Sequence, residues 1–206
     1  MADLAAFQAW MSAFAEEVQA HSEHLTDLDR AIGDGDHGSN MARGMTKVAE
    51  LAPEGDFSSV AAYLKKVGMT LVSTVGGASG PLYGTFFLRM AGPLADVEDA
   101  DADQVGAALR AGVEGVLSRG KAELEDKTMY DAWAPAVEAF DARSGEGLSA
   151  ALEAAAAAGA TGRDGTEDLI ARKGRASYLG ERSRGHIDPG ATSTVLLLQA
   201  AARTLS

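Results

Sequence analysis

The segment LAAFQAWMSAFAEEV, residues 4–18, decides the fold class. Its apolar side chains Leu4, Phe7, Met11, Phe14 and Val18 recur every three or four residues. This is the spacing of one buried face on an amphipathic α-helix. Valine and isoleucine do not cluster anywhere in the short alternating runs that are typical of strands. The sequence therefore predicts an all-α protein.

Seven further helices are predicted from the same periodicity and from capping residues. Together with the first helix they predict eight helices joined by short loops, in a single domain over residues 1–206. Four of the predicted helices are given by approximate bounds: residues 40–51, Pro81 to about Met90, Leu148 to about Lys173, and Asp188–Pro189 to about Leu205. Two more are placed by their N-terminal caps: one is capped by Asp56 or Ser58 and runs through Leu71, and one is capped by Asp101 or Asp103 and stops at Gly120. The last has a Thr128–Asp131 capping box, and Pro135 either kinks this helix or marks its start.

Composition narrows the class of protein. The chain has 206 residues, of which 46% are hydrophobic, and this is enough to bury one core. Its formal net charge of −12 argues against binding nucleic acid or anionic lipid. The lack of cysteine excludes disulfides, thiolate catalysis and zinc–sulfur sites. With neither a signal peptide nor an apolar run of about 20 residues, we expect a cytoplasmic protein that does not contact a membrane.

Residues 29–40, DRAIGDGDHGSN, bring three carboxylates close together. Asp29 is expected on the last turn of a helix, with Asp34 and Asp36 in the glycine-containing loop that follows. Carboxylates at this spacing repel one another unless a hard cation such as Mg²⁺ lies between them. An ordinary glycine- and aspartate-rich turn is the alternative. It accounts less well for three aspartates beside His37, so a metal site is predicted.

A second loop, GGASGP at residues 76–81, joins two predicted helices. Its small residues let the backbone approach a ligand, and the helix starting at Pro81 offers free N–H groups that suit a phosphate. A flexible helix–helix turn is the alternative. The acidic loop shifts the balance towards a site for a metal and a nucleotide.

A third irregular segment is basic in an otherwise acidic chain, with five Lys or Arg residues between positions 172 and 184. Compensation of a helix C-terminus accounts for Lys173 but not for all five cations. The segment therefore supplies positive charge that could offset phosphate groups.

Four blocks distributed over the chain carry a family resemblance: IGDGDHGSNMARGM (32–45), TVGGASGPLYGTFFLRMA (74–91), DKTMYDAWAPAV (126–137) and ARKGRASYLGERSRGHIDPGATST (171–194). Together they resemble the nucleotide-binding L subunit of dihydroxyacetone kinase. The resemblance implies an antiparallel eight-helix barrel that holds ADP or ATP at one end through two Mg²⁺ ions. One departure is Glu125, where the family pattern leads us to expect glycine.

The resemblance also implies the site residues. The metal ligands would be Asp29, Asp34 and Asp36. The nucleotide contacts would be His37, Gly38, Ser39, Asn40, Ala78, Ser79, Gly120, Met129, Arg175, Asp188, Pro189 and Gly190.

The implied function is that of half a kinase. The γ-phosphoryl group of the bound nucleotide would pass to dihydroxyacetone held covalently on a separate K subunit, giving dihydroxyacetone phosphate. A chain of this length without a K domain favours the phosphotransferase type, in which an M subunit uses phosphoenolpyruvate to rephosphorylate ADP in place. Phosphoryl transfer depends on positioning and charge neutralisation, so no residue here is expected to act as a covalent nucleophile.

Other functions stay open at this point. They are a split ATP-dependent kinase for another short ketose, a phosphocarrier that uses His37 or His186, and a non-catalytic regulatory module. A homodimer is a further option for the assembly.

Overall fold

The predicted helical periodicity is confirmed in the part of the chain that this computed structural model describes, residues 1–54 and 57–205. That part contains ten α-helices and three short 3₁₀ segments. The helices are α1 (Leu4–Ala20), α2 (Ser22–Ile32), α3 (His37–Ala49), α4 (Leu51–Glu54), α5 (Val60–Thr74), α6 (Ser79–Met90), α7 (Ala102–Gly120), α8 (Met129–Arg143), α9 (Leu148–Gly165) and α10 (Pro189–Thr204). The 3₁₀ segments are Ser144–Glu146, Thr166–Asp168 and Arg175–Ser183.

The expected number of eight helices is too low for two reasons. The chain leaves helical geometry at His21, which separates α2 from α1. A single helical turn, α4, also follows α3.

Most predicted boundaries are confirmed, because they depend on local caps. Asp101 and Thr128 each make a full capping box, at the starts of α7 and α8. Asp188 accepts a hydrogen bond from the Ala191 N–H at the start of α10.

Five boundary predictions are corrected. The helix expected over residues 40–51 is α3, His37–Ala49, and the helix expected to start at Pro81 begins at Ser79. Ser59 rather than Ser58 caps α5, and the alternative cap Asp56 lies outside the described residues. Pro135 lies inside α8, so it does not mark the helix start. The helix expected to reach Lys173 ends at Gly165, in a stretch that three glycines weaken.

The core is built from the apolar faces of these helices. The indole N–H of Trp10 donates to the backbone carbonyl of Leu197 at 2.9 Å, which joins α1 to α10. Phe86 on α6 stacks on Trp133 on α8, with ring centroids 4.6 Å apart. Helix packing runs from α1 to α3, α5, α6, α7, α8, α9 and α10, and α10 packs again on α1. None of the described helices is both long and apolar enough to cross a membrane.

Candidate functional site

A cleft of about 560 Å³ opens at one end of the helices. Four helix N-termini reach it, those of α3, α6, α8 and α10, together with the C-terminal ends of α2 and α7. Side chains already cap α8 and α10, and Asp29 accepts from the first N–H of α3. The convergence therefore contributes mainly the partial positive charge of the helix ends, which suits an anionic ligand.

The predicted acidic cluster forms one wall of the cleft. Carboxylate oxygens of Asp29, Asp34 and Asp36 all lie within 4.8 Å of one another. Asp29 is the most buried of the three at 9% exposure. Its Oδ2 accepts hydrogen bonds from the backbone N–H groups of Asp36 at 2.8 Å and His37 at 3.1 Å. The three ligand atoms are all carboxylate oxygens, and such a set fits a hard cation such as Mg²⁺.

Two glycines let the acidic loop pack this tightly. A Cβ on Gly33 would lie 2.1 Å from Oδ1 of Asp29 and would push the carboxylate out of place. A Cβ on Gly38 would lie 1.9 Å from the carbonyl oxygen of Ser22, where α2 and α3 cross. The geometry of the cluster therefore depends on glycine at both positions.

The glycine-rich loop lies opposite, between α5 and α6. No side chain in the described part of the molecule caps the N-terminus of α6, so its first N–H groups remain available to a ligand in the cleft. Asn40 lies behind the loop, where a Cβ on Gly76 would come within 2.8 Å of its Oδ1. Arg43 fixes this Asn40 oxygen at 2.7 Å and also donates to the Thr74 carbonyl at 3.0 Å, which ties α3 to the end of α5.

A more apolar part of the cleft lies between α6, α7 and α8. Leu82, Val116, Gly120 and Met129 line it. A Cβ on Gly120 would lie 3.2 Å from Cδ2 of Leu82, so a side chain at this position would crowd Leu82. The arrangement suits the planar, apolar face of a nucleotide base.

The basic segment meets the acidic loop directly. The Arg175 guanidinium Nε lies 2.9 Å from Oδ2 of Asp34, and the Arg175 side chain is 70% exposed. An ion pair this exposed contributes little to stability. Arg175 is therefore free to exchange Asp34 for an anionic ligand, and Lys173 lines the same side of the cleft.

Two buried charged side chains support the floor of the cleft. Lys127, 1% exposed, donates from Nζ to the backbone carbonyls of Thr166 at 2.6 Å and Leu169 at 3.1 Å, and also to that of His186. Burial lowers the pKa of Lys127, against the opposing effect of Asp188 and other nearby acids. Burial raises the pKa of the Asp188 carboxyl group to about 7.

His37 is held inside the protein. Its ring nitrogens lie 3.0 Å from Ser79 Oγ and 2.9 Å from Ser193 Oγ, and it is 7% exposed. Burial lowers its pKa, although Asp29 and Asp36 act in the opposite direction. Both ring nitrogens therefore have partners inside the protein. His186, the other histidine considered as a phosphoryl acceptor, is exposed and is not among the residues that line the cleft.

The structure brings together thirteen of the fifteen predicted site residues in the lining of this cleft. They are Asp29, Asp34, Asp36, His37, Asn40, Ala78, Ser79, Gly120, Met129, Arg175, Asp188, Pro189 and Gly190. Gly38 and Ser39 are not part of this lining. Gly38 packs against α2, and the exposed Ser39 donates from Oγ to the Asp36 carbonyl at 2.9 Å.

Sequence reasoning did not single out Lys127, Tyr83 or Ser193. A buried lysine that binds backbone carbonyls cannot be recognised from its sequence neighbours, because its partners lie about 40 and 60 positions away along the chain. Tyr83 and Ser193 are also 110 residues apart. Only the tertiary fold shows these roles.

Known proteins are similar in sequence to this chain over nearly its whole length. The DAK2 domain family matches residues 31–203. The chain is 48% identical over 192 residues to the PEP-dependent dihydroxyacetone kinase, ADP-binding subunit DhaL, of Escherichia coli, and the match covers 92% of this chain and 91% of that protein. It is 43% identical over 192 residues to the PTS-dependent dihydroxyacetone kinase, ADP-binding subunit DhaL, of Lactococcus lactis. This match covers 92% of this chain and 92% of that protein.

A solved structure shares the fold. The dihydroxyacetone kinase from C. freundii in complex with AMP-PNP and Mg²⁺ matches with a TM-score of 0.74 and 26% identity. The match covers 95% of this chain and 33% of that longer chain.

Proposed function

The chain belongs to the DAK2 domain family, and from that premise we propose that it is the ADP-binding subunit of a phosphoenolpyruvate-dependent dihydroxyacetone kinase. The observation that carries the proposal is the cleft itself, where three clustered carboxylates face four helix N-termini. The 48% identity to an ADP-binding subunit, over 91% of that protein, supports the same role.

The acidic cluster is proposed as the Mg²⁺ site, with Asp29, Asp34 and Asp36 as ligands. Their spacing and their oxygen-only chemistry support this assignment, and we propose two ions. Bound there, Mg²⁺ would neutralise charge on the phosphate oxygens of the nucleotide.

The nucleotide is proposed to span the cleft. The α6 N-terminus, with Ala78 and Ser79, holds the phosphates, and the start of α3, from His37 to Asn40, adjoins them. Gly120 and Met129 take the base. Arg175 and the turn Asp188–Gly190 complete the binding site.

The chain contributes positioning and charge rather than a covalent nucleophile. Both ring nitrogens of His37 have hydrogen-bond partners inside the protein, which disfavours a phosphohistidine carrier. In the proposed reaction, the γ-phosphoryl group of the nucleotide passes to dihydroxyacetone on a K subunit. An M subunit then restores ATP from the bound ADP at the expense of phosphoenolpyruvate.

We propose the family's antiparallel eight-helix barrel for the architecture, formed by α1, α3 and α5 to α10, with residues 1–206 as one nucleotide-binding domain. The helix contacts that return from α10 to α1 support a closed ring. A K subunit and an M subunit are the proposed partners, with a homodimer as a further possibility, and this role would place the chain in the cytoplasm.

Reconstitution tests the proposal. The purified chain, loaded with ADP and Mg²⁺, is combined with a dihydroxyacetone-loaded K subunit, and formation of dihydroxyacetone phosphate is followed. With an M subunit, the phosphotransferase proteins and phosphoenolpyruvate, we expect many turnovers from one bound ADP.

Other outcomes separate the alternatives. Turnover sustained by ATP without an M subunit would indicate a split ATP-dependent kinase. Turnover with another short ketose but not with dihydroxyacetone would change the substrate. Tight Mg–ADP binding without turnover would favour a regulatory module.

A further inference from the structure

A line of hydrogen-bonded side chains runs from the core to the cleft. Tyr83 OH lies 2.7 Å from Ser193 Oγ, Ser193 Oγ lies 2.9 Å from His37 Nε2, and His37 Nδ1 lies 3.0 Å from Ser79 Oγ. Only His37 and Ser79 of these four line the cleft. We call these four residues the relay.

The inner half of the relay is fully enclosed. Tyr83 is 1% exposed and Ser193 is 0% exposed. Burial raises the pKa of Tyr83 to about 12, so the phenol keeps its proton. A second hydroxyl, Thr194 Oγ1, lies farther from the phenol at 3.3 Å. The phenol proton can go to either hydroxyl oxygen, and the nearer of the two is that of Ser193.

A neutral imidazole has two tautomers, and both fit these distances. In the first, Ser193 donates to the Gly190 carbonyl at 3.1 Å, so His37 must carry its proton on Nε2 and Ser79 must donate to Nδ1. In the second, Ser193 donates to Nε2 and the His37 proton is on Nδ1, which donates to Ser79. The imidazole is neutral in both.

The two arrangements leave Ser79 with different chemistry. In the first, the Ser79 proton is used inside the relay, and only lone pairs face the cleft. In the second, Ser79 accepts from His37 and its own proton is free to donate to a ligand. A phosphate oxygen accepts hydrogen bonds and repels lone pairs, so it favours the second arrangement.

We propose that the relay makes Ser79 a committed hydrogen-bond donor to a phosphate group, with Tyr83, Ser193 and His37 as positioning residues behind it. This inference deepens the proposed function and rests on it, because the anion is taken to be the phosphate of the bound nucleotide. The ligand selects the Nδ1–H tautomer of His37, and every donor from Tyr83 outward then points to the cleft.

The imidazole ¹⁵N chemical shifts of His37 test the proposal directly, since they distinguish the two tautomers. We expect the Nδ1–H form once the full-length protein is saturated with ADP and Mg²⁺. The Nε2–H form in the saturated protein would overturn the proposal without affecting the proposed function. Failure of the wild-type protein to bind Mg–ADP would overturn both.

Variants give a second readout. Tyr83→Phe removes the innermost donor but keeps the ring, and we expect roughly threefold to tenfold weaker Mg–ADP binding, together with a larger Nε2–H population. The matched control is Tyr63→Phe, because Tyr63 is equally buried and no described residue hydrogen-bonds to its hydroxyl. Equal affinity and equal tautomer populations in Tyr83→Phe and wild type would contradict the relay.

Discussion

At the scale of single residues, Glu125 shows how the chain tolerates a departure from its family pattern. The resemblance led us to expect glycine, and the structure gives Glu125 a φ of 67°, in the left-handed region that favours glycine. Its N–H donates to Asp131 Oδ1 at 2.5 Å, which compensates for backbone strain on the order of 1 kcal/mol. The loop conformation is therefore set by the Asp131 side chain as well as by the residue at 125.

Asp188 should make stability depend on pH. A carboxyl group whose pKa is about 7 in the folded protein, against 3.8 ordinarily, binds its proton more tightly when folded. Stability then falls as the pH rises from about 4 to about 7. Because each tenfold difference in proton affinity is about 1.4 kcal/mol, the wild-type protein should lose up to about 4 kcal/mol relative to Asp188→Asn between pH 4 and pH 8. Urea unfolding of the ligand-free proteins at several pH values measures this difference.

Asp101→Asn is the matched control for Asp188→Asn. Asp101 also caps a helix through its carboxylate, but it lies on the exposed surface. Both asparagines keep an oxygen that can accept the capping hydrogen bond. If the wild-type protein and Asp188→Asn lose stability with pH at the same rate, Asp188 does not titrate differently in the folded state.

At the scale of secondary-structure elements, local signals account for what could be predicted. The starts of α7, α8 and α10 depend on side chains within three residues of the helix, so the sequence shows them. The end of α9 does not depend on its neighbours alone. Thr166, just beyond it, accepts a hydrogen bond from the Asp188 N–H, and its carbonyl binds Lys127. Such contacts are invisible until the chain is folded.

Lys127 should hold the segment 166–187 against the cleft. Lys127→Met keeps a similar side-chain volume but leaves several buried carbonyl oxygens without their donor. We expect a loss of about 3 kcal/mol or more in the free energy of unfolding. We also expect faster amide hydrogen exchange that is concentrated in residues 166–187.

Lys121→Met serves as the control for Lys127→Met, since Lys121 lies in the same connection between helices but is exposed. It should change stability by less than about 0.5 kcal/mol. Equal and small effects of the two substitutions would show that the Lys127 ammonium does not hold the segment.

At the scale of the whole molecule, the net charge of −12 and the proposed binding of an anionic nucleotide have to be reconciled. The charge at the cleft, rather than the net charge of the chain, determines whether an anion binds there. Helix N-termini and the cations Lys173 and Arg175 face the cleft, and the three clustered aspartates would be neutralised by divalent ions. If the acidic cluster binds Mg²⁺ as proposed, the metal is required for the anion to bind, and metal, nucleotide and folding should be thermodynamically linked.

This linkage predicts how the melting temperature responds to ligands. Mg²⁺ and ADP together, at about a hundredfold excess over the dissociation constant, should stabilise the wild-type protein by about 2.7 kcal/mol. For a chain of this size that is roughly a 5–10 °C rise in melting temperature, and removing Mg²⁺ with EDTA should abolish the rise.

Asp36→Ala should melt at or slightly above the wild-type temperature without ligand, since it removes repulsion within the acidic cluster. Adding Mg–ADP should not shift the melting temperature of this variant. Asp96→Ala, which removes an exposed acid outside the cleft, should keep the full shift. A full shift in Asp36→Ala would mean that ADP binds independently of the acidic cluster.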